Sequence, residues 1–568
     1  MPQAFLSHSS VQKPFVEKIA SDLKTYAIID SKSFEEGEIT SEQIIQLINK
    51  TDLFVLFISD EALSSHWVLD ELSLAKQRLD ANTLSKIYPL IIDSKILFSD
   101  PRIPDWLKEN YNLKHVLRTG KASRLIKRRL QEISWERHPK LKERDGIFVG
   151  RNEEIKKFEE RIDDLQINNP NVIVSSGLPR IGRRSFLKRA LVKTNTLPTE
   201  SYDFPIITLS IRESIEDFIL KLYDLGFSEE MDFPSLIDTT IDVKIELAAQ
   251  LIREAQGFNE VILIEDEGGV ILPDRSIVNW FYKILEQWKD FGLKEQITIC
   301  LASQFKPNPK YITGNTDIFH IEIAELTKIE TAGLLKRLAY INDIIIPIED
   351  LKELNDGFNG FPEQVHYCIE LLKSIGYKKL LKEYHLVREY QKSIFSKIID
   401  EIETDDTYRI VLTMLTEFDF ISQDLLNEVL SDLGDEIIDK IIDDLLGRSI
   451  IEYIGSNKEY IRLNQGIRDF LTRGKYTISP KYKEKLKLHI ENYLATFNFT
   501  NSDLSNFFYS LKGALLTNYS FQSRLLLPSH YLKTMITLYE RDKNYKDVVV
   551  LADKILDRGL KLDYSITY

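Results

Sequence analysis

Cysteine is almost missing from this chain: its 568 residues contain two, Cys300 and Cys368. Both sit in apolar surroundings, so no disulfide framework is expected, and their spacing is not that of a metal site. That usage suits a reducing cytosol. Also missing is any apolar run long enough to span a bilayer. The first residues, MPQAFLSHSS, have neither a basic n-region nor a long apolar stretch, so no signal peptide is expected. A cytoplasmic protein with no membrane partner is the resulting expectation. Positive charge is in deficit, with a net charge of -14. Such a balance argues against general coating of nucleic acid, although local basic patches stay open. Asn498-Phe499-Thr500 spells a glycosylation sequon, which means nothing without secretion.

What is present is enough apolar material for packed cores: 43% hydrophobic beside 29% charged residues. At roughly 100–200 residues per domain, the length suggests about three to five domains. Residues 1–130 alternate apolar runs with helical patterns. AFLS is a strand, and Phe15, Ile19 and Leu23 share a helix face. AIID is a strand, SEQIIQLINK a helix and DLFVLFIS a buried strand; SSHWVLDELSLAKQRL is a helix and KIYPLIID a strand. That order predicts a parallel sheet covered on both faces, with its working crevice at the carboxyl ends of the strands. Residues 131–147 close a basic stretch, 121–145, expected to be a helix and then a linker carrying solvated charge. A second α/β unit is expected over 148–325, with NVIVSSG, NEVILIEDEGG and QITICLAS as buried strands. Helices follow over 326–400. Residues 401–475 read as helices and a hairpin turning at GSNKE, the pattern of a winged helix. Residues 476–568 are helical, and LYERDKNYKDVVVLADKILDRG resembles one unit of a helical-hairpin (TPR-like) repeat. The fold class is multidomain α/β plus α.

One helix carries a candidate site. In SSHWVLDELSLA, Val68, Leu72, Ala75 and Leu79 form the stripe that faces the sheet. Trp67 and Glu71 lie four apart on a neighbouring face, placing an aromatic plane beside a carboxylate. Spacing alone leaves two readings: a pair that holds a flat ring and a sugar, or a core tryptophan beside a solvated acid. Residues 1 to about 130 resemble a TIR domain, of flavodoxin-like fold. The resemblance rests on AFLSHSS as first strand and turn, DSKSFEEGEI as the family's BB loop, DLFVLFIS as third strand and SSHWVLDEL as the S-x-W-x-x-x-E-L signature. TIR domains are adaptors or NAD-cleaving enzymes, and the resemblance implies the second, with NAD as substrate. It implies Glu71 as the catalytic residue, Trp67 stacking on a ring, and His8, Ser9 and Phe34 lining the pocket. It also implies that a neighbour's BB loop completes the site, so that activity depends on assembly. Cleavage of the nicotinamide–ribose bond passes through an oxocarbenium-like state, which a single carboxylate can stabilise because nicotinamide leaves as a neutral base.

GLPRIGRRSF has the spacing of the phosphate-binding loop G-x-x-x-x-G-K-[ST], with Gly177 and Gly182 as its glycines. Arg183 holds the lysine position and Arg184 the hydroxyl position. Arg183 can pair with a phosphate oxygen, whereas Arg184 cannot replace a hydroxyl ligand of Mg²⁺. Ser185 comes one residue late, turned by about 100° around the helix. FVGRNEEI, ILIEDEGG (ending in Glu265, Asp266 and Glu267), LASQF, GFNGFP and LNQGIRDFL follow in the order of a STAND-type NTPase, which they resemble over residues 148–475. The resemblance implies ATP or ADP at Gly177, Gly182, Arg183, Arg184, Ser185, Asp266 and Glu267. Two readings stay open: a nucleotide-binding switch with little turnover, or a rigid oligomerisation platform. The whole order resembles bacterial NLR-like defence proteins. It implies a phage or other foreign trigger at the C-terminal region, homo-oligomerisation, and loss of NAD that stops growth of an infected cell. A non-enzymatic TIR scaffold and a nucleic-acid regulator using the winged helix are the alternatives.

Overall fold

The structure is a computed structural model. It describes residues 2–29, 47–164, 166–197, 202–228, 236–383, 385–402, 405–418, 420–454, 460–474, 476–496, 535, 539 and 545–557. Two compact units emerge, Met1–Ala324 with Gly333–Ile346, and Glu325–Ala332 with Pro347–Tyr568. Among the described residues no helix is long and apolar enough to cross a membrane.

The first unit opens with a parallel sheet of β1 (Ala4–Ser7), β2 (Ala27–Ile28), β3 (Leu53–Ile58) and β4 (Lys86–Ile91), in the order β2-β1-β3-β4. This is the order of a flavodoxin-like doubly wound sheet. Side chains alternate across a strand, and both faces here are apolar. Phe5, Phe54, Leu56 and Ile58 pack under the helix His66–Asp80 through Val68, Leu72 and Ala75. Ala4, Leu6, Val55 and Phe57 pack on the other side against the helices Lys13–Leu23 and Thr119–Arg137. The buried face of Lys13–Leu23 is centred on Val16, Ile19 and Leu23. Phe15, expected on that stripe, sits at its edge with its ring edge-on to Phe57.

The basic stretch after residue 120 differs from the solvated charge expected of it. Thr119–Arg137 is one continuous helix that buries Ala122, Ile126, Leu130 and Ile133 against the sheet. Its charges are tied down as well: Arg137 lies 2.6 Å from Asp52, and the Arg129 guanidinium lies over the Tyr88 ring. Residues Pro139–Asp145 form a further short helix. The reason is periodicity hidden by composition, because four apolar residues at helical spacing are enough to seat a helix whose other positions are charged.

A second parallel sheet contains β5 (Val172–Ser176), β6 (Ile206–Ser210), β7 (Ile262–Glu267), β8 (Ile299–Ser303) and β9 (Ile318–Glu322), ordered β6-β7-β8-β5-β9. The strand that feeds the glycine loop therefore lies inside the sheet, flanked by β8 and β9. This is a P-loop NTPase-like fold.

The second unit is mainly helical. It includes Ile348–Asp356, Pro362–Ile375, His385–Ile402, Asp406–Glu417, Asp435–Gly447, Gln465–Arg473 and Pro480–Thr496. The expected hairpin strands are β11 (Ile451–Ile454) and β12 (Tyr460–Leu463), paired antiparallel. Residues 455–459 of the GSNKE turn lie outside the described residues. A short strand not read from the sequence, β10 (Ile421–Ser422), adds to the other edge of β12. Of the expected repeat near the C-terminus, the helix Tyr545–Asp557 is described, and most of residues 497–544 lie outside the described residues.

Each buried Ile or Leu contributes roughly 1.5–3 kcal/mol, and a whole domain is stable by only about 5–15 kcal/mol. A fragment of residues 1–117 is therefore expected to be unfolded, and a fragment of residues 1–137 folded. Circular dichroism and thermal melting of the two fragments check this; a cooperative melt of the shorter one would refute it.

Candidate functional site

β1 ends at Ser7, and two-residue alternation places Ser7 on the face of Phe5, under the helix His66–Asp80. That helix begins where the Ser65 side chain accepts the Val68 N–H, an N-cap that fixes its register. With Val68, Leu72 and Ala75 seated on the sheet, Glu71 falls just off the buried stripe, beside the end of β1. The buried Ser7 hydroxyl donates to Glu71 Oε2 at 2.5 Å. A hydroxyl-to-carboxylate bond of this length belongs to the strong, charge-assisted kind. Trp67, one turn earlier, is 50% exposed, so it is not a core residue.

The turn after β1 divides its roles. His8 Nδ1 donates to the Leu6 carbonyl at 2.9 Å, because a carbonyl can only accept. In the neutral ring that bond leaves Nε2 as the acceptor. Ser9, expected to line a pocket, is buried, and its hydroxyl bonds the Gln12 side-chain oxygen. Gln12 Nε2 in turn donates to Glu61 Oε2 at 2.9 Å. Ser9 thus anchors the turn. Phe34 lies outside the described residues. The structure brings Ser7 and Glu71 together, with His8 adjoining Ser7 in the chain and Trp67 at the start of the helix. Ser7 was missed by sequence reasoning, although its signal was there: a serine at the inward position of an otherwise apolar strand. A carboxylate fixed by a buried hydroxyl, beside an exposed indole at a strand end, can accept hydrogen bonds from a sugar and face developing positive charge.

The glycine loop follows β5. Gly177 has φ +151°, and a Cβ there would lie 2.7 Å from the Ile323 carbonyl oxygen, so no side chain fits. Gly182 caps the helix Arg183–Lys193 in a left-handed conformation. Arg183 Nη1 donates to the Gly177 carbonyl at 3.2 Å. Burial lowers the Arg183 guanidinium to about 10, against the opposing pull of Asp266, Glu265 and Glu267. Arg184 is exposed and lies 3.1 Å from Asp203 and 3.8 Å from Glu265. Ser185 is exposed on the outer face of the helix.

Asp266 is placed otherwise than expected of a nucleotide ligand. Its buried carboxylate accepts from the N–H groups of Gly268, Val270 and Ile271 at 3.2, 2.8 and 3.1 Å, and from the Ser303 hydroxyl at 2.7 Å. Burial pushes its pKa up, and these bonds oppose the shift. Alternation along β7 sends Glu265 and Glu267 to the other side, where Glu265 meets Arg184 and Glu267 is exposed. Gly177 and Gly182 keep the positive-φ backbone that the turn of such a loop requires. The metal arm of such a loop does not fit these residues, since a guanidinium has no lone pair to offer a cation and Arg184 already supplies the positive charge to Glu265.

Beneath the loop, the Ser176 hydroxyl and His320 Nε2 are 2.7 Å apart across β5 and β9. Burial, with Lys306 and Arg275 nearby, depresses the His320 pKa to about 3. A group depressed in the folded state adds stability above its unfolded pKa of about 6.5 and loses it as pH falls. Stability is expected to drop by up to about 1.4 kcal/mol per pH unit below pH ~6.5 from this residue. In His320→Gln the acid limb flattens; thermal melts between about pH 7 and pH 5 read the difference, and equal slopes would refute it.

Residues 4–117 match the family model described as TIR domain, so the N-terminal domain is a TIR domain. No curated protein matches the chain. Among solved structures, the chain is similar to a Walker-type ATPase of Pyrococcus abyssi (13% identity, 57% of this chain and 96% of that chain, TM-score 0.41). It is also similar to the ORC2 protein of Aeropyrum pernix, solved as ADPNP–ADP complexes (11% identity, 60% and 95%, TM-score 0.35). A third is Cdc6p from Pyrobaculum aerophilum (12% identity, 60% and 96%, TM-score 0.28). The assignment of the middle domain rests on its own strand order and glycine loop.

Proposed function

We propose that the TIR domain cleaves the nicotinamide–ribose bond of NAD with Glu71 as the catalytic carboxylate, and that the P-loop NTPase-like domain controls it by assembling copies of the chain. The observation that carries the reading is the hydrogen bond from Ser7 to Glu71 beside the exposed Trp67. In this reading Trp67 stacks on a flat ring of the substrate. Glu71 accepts from the ribose hydroxyls and faces the positive charge that grows at the anomeric carbon as the bond to nicotinamide breaks. Nicotinamide departs as a neutral base and carries the bonding electrons, so the site needs no strong acid; in hydrolysis a water oxygen then bonds the anomeric carbon and its proton passes to solvent, giving ADP-ribose. Ser7 is a positioning residue: its hydroxyl holds the carboxylate in one orientation before substrate arrives.

Control belongs to the rest of the chain. The glycine loop can hold a nucleotide phosphate through Arg183 and the helix N-terminus, with Arg184 and Glu265 paired where a metal would sit. The helices and small antiparallel sheet of residues 401–475 take the part of a winged helix, and the C-terminal helical region takes a foreign trigger, such as one from a phage. Clustering brings TIR domains together and NAD is consumed in the cytoplasm of an infected cell. Resting activity has to be low, so the clustered state is rare without its trigger.

Concentrated protein incubated with NAD is expected to release nicotinamide. Glu71→Ala should lower the rate on the order of 10²–10³-fold, the scale for losing a charge-stabilising group. Ser7→Ala should lower kcat by roughly tenfold or more, the scale of one hydrogen bond to a charged group. No release under any clustering condition would defeat the enzyme reading and favour a scaffold; equal release by Glu71→Ala would defeat the residue assignment.

A further inference from the structure

The first unit contains a seam between the TIR domain and the P-loop NTPase-like domain. The seam is made of cations laid on aromatic rings. The Arg118 guanidinium lies 4.0 Å from the Tyr223 ring, and Lys121 Nζ lies 3.0 Å from the Phe258 ring centroid and 5.8 Å from that of Phe227. Arg124 donates to the Leu225 carbonyl at 3.0 Å. The approach is close enough to require glycine: Gly226 has φ +74°, and a Cβ there would lie 2.6 Å from Arg118 Cβ.

Beside these contacts is a cavity of about 260 Å³ whose lining includes His115, Arg118, Lys121, Phe227, Ser228 and Phe258. Among the described residues no carboxylate lines it. Lys121 and Ser228 are both more than nine-tenths buried, at 7% and 4% exposure. Arg118 Nη1 and Ser228 Oγ are buried with no hydrogen-bond partner among the described residues. Glu260, the acid that acts on Lys121, is itself engaged by the Tyr202 hydroxyl at 2.7 Å. Buried donors are normally satisfied, and an unsatisfied one is costly. Here a guanidinium, an ammonium and a hydroxyl meet around one cavity with no carboxylate among its described lining residues.

We infer that this seam cavity binds a small phosphate-bearing ligand. A tetrahedral phosphate offers several strong acceptor oxygens at once, and a guanidinium fork suits it. The volume is below the roughly 300–1,000 Å³ of pockets for drug-sized molecules, which suits a sugar phosphate or the free ion rather than a dinucleotide. Phe227 and Phe258 supply an apolar wall for the sugar. Because the lining comes from both domains, the ligand favours the docked arrangement by the difference in its affinity for docked and undocked states. The site stands apart from NAD cleavage and from the glycine loop.

The test is isothermal titration of the full chain at low salt with two probes, ribose 5-phosphate and inorganic phosphate. A saturable binding step is expected that is weakened about tenfold or more in Lys121→Met and Arg118→Gln, is weakened in Ser228→Ala, and persists in Arg183→Ala, which removes only the phosphate contact of the glycine loop. Ser228 takes no part in the ring contacts, so Ser228→Ala keeps the test valid if the cation variants undock the domains. Tighter binding of ribose 5-phosphate assigns the site to a sugar phosphate; equal binding assigns it to the free ion. No saturable binding of either probe would overturn the proposal. So would binding that Arg183→Ala abolishes while Lys121→Met and Ser228→Ala leave it intact.

Discussion

The hydrogen bond from Ser7 to Glu71 joins the last residue of a strand to the second turn of a helix, and the TIR site depends on it. It forms only if two registers agree. β1 must present Ser7 on the face shared by Phe5, and the helix must seat Val68, Leu72 and Ala75 so that Glu71 lands at the strand end. A slip of one residue in the strand would turn the hydroxyl to the opposite face. A slip of one residue in the helix would move the carboxylate by about 100°. The apolar packing that holds the domain together therefore also sets where Glu71 points. Trp67 escapes this constraint: it lies before the buried stripe, half exposed, where a flat molecule has room to approach.

The glycine loop follows a different rule, that charge near a buried sheet must find charge. Arg183 sits against the loop carbonyl of Gly177 and beside three acids, and Arg184 sits between Asp203 and Glu265. Two residues that spoil the usual loop are thus accommodated by the strand that would otherwise face a metal. Asp266 has left that work and ties the turn after β7 to Ser303 on β8. Such an arrangement balances its charges without a divalent cation, and it keeps positive φ at Gly177 and Gly182. Turnover would need the metal arm, whereas binding of a phosphate would need mainly the loop backbone.

Parts of this were legible in the sequence for a physical reason. β3, β5 and β8 are buried along their whole length, so their apolar runs are continuous and unmistakable. β6 and β9 lie at the edges of their sheet with mixed exposure, and their patterns gave no comparable signal. Glu71 and Trp67 were visible as a spaced pair with two open meanings, and burial decided between them for Trp67. Ser7 was not singled out, since its partner is 64 residues away in the chain. Asp266 and Glu265 were seen as one acidic cluster, yet alternation sends them to opposite sides of the strand. Composition misled most over Thr119–Arg137, where the abundance of charge concealed four buried apolar positions.

That helix also decides where the TIR domain can come loose. Its apolar face completes the TIR core through Ala122, Ile126, Leu130 and Ile133, while Lys121 and Arg124 near its start meet the second domain. Peeling the helix from the sheet would expose apolar side chains worth roughly 1.5–3 kcal/mol each for the isoleucines and leucine. Parting the seam instead breaks contacts between cations and rings, worth about 0.5–2 kcal/mol each. It also returns Lys121, held at about 7 by burial, to water that favours its charged form. The seam is the weaker joint. A separation of the two domains would therefore leave this helix on the TIR side, and a ligand in the cavity beside Lys121 would oppose it by its preference for the docked arrangement.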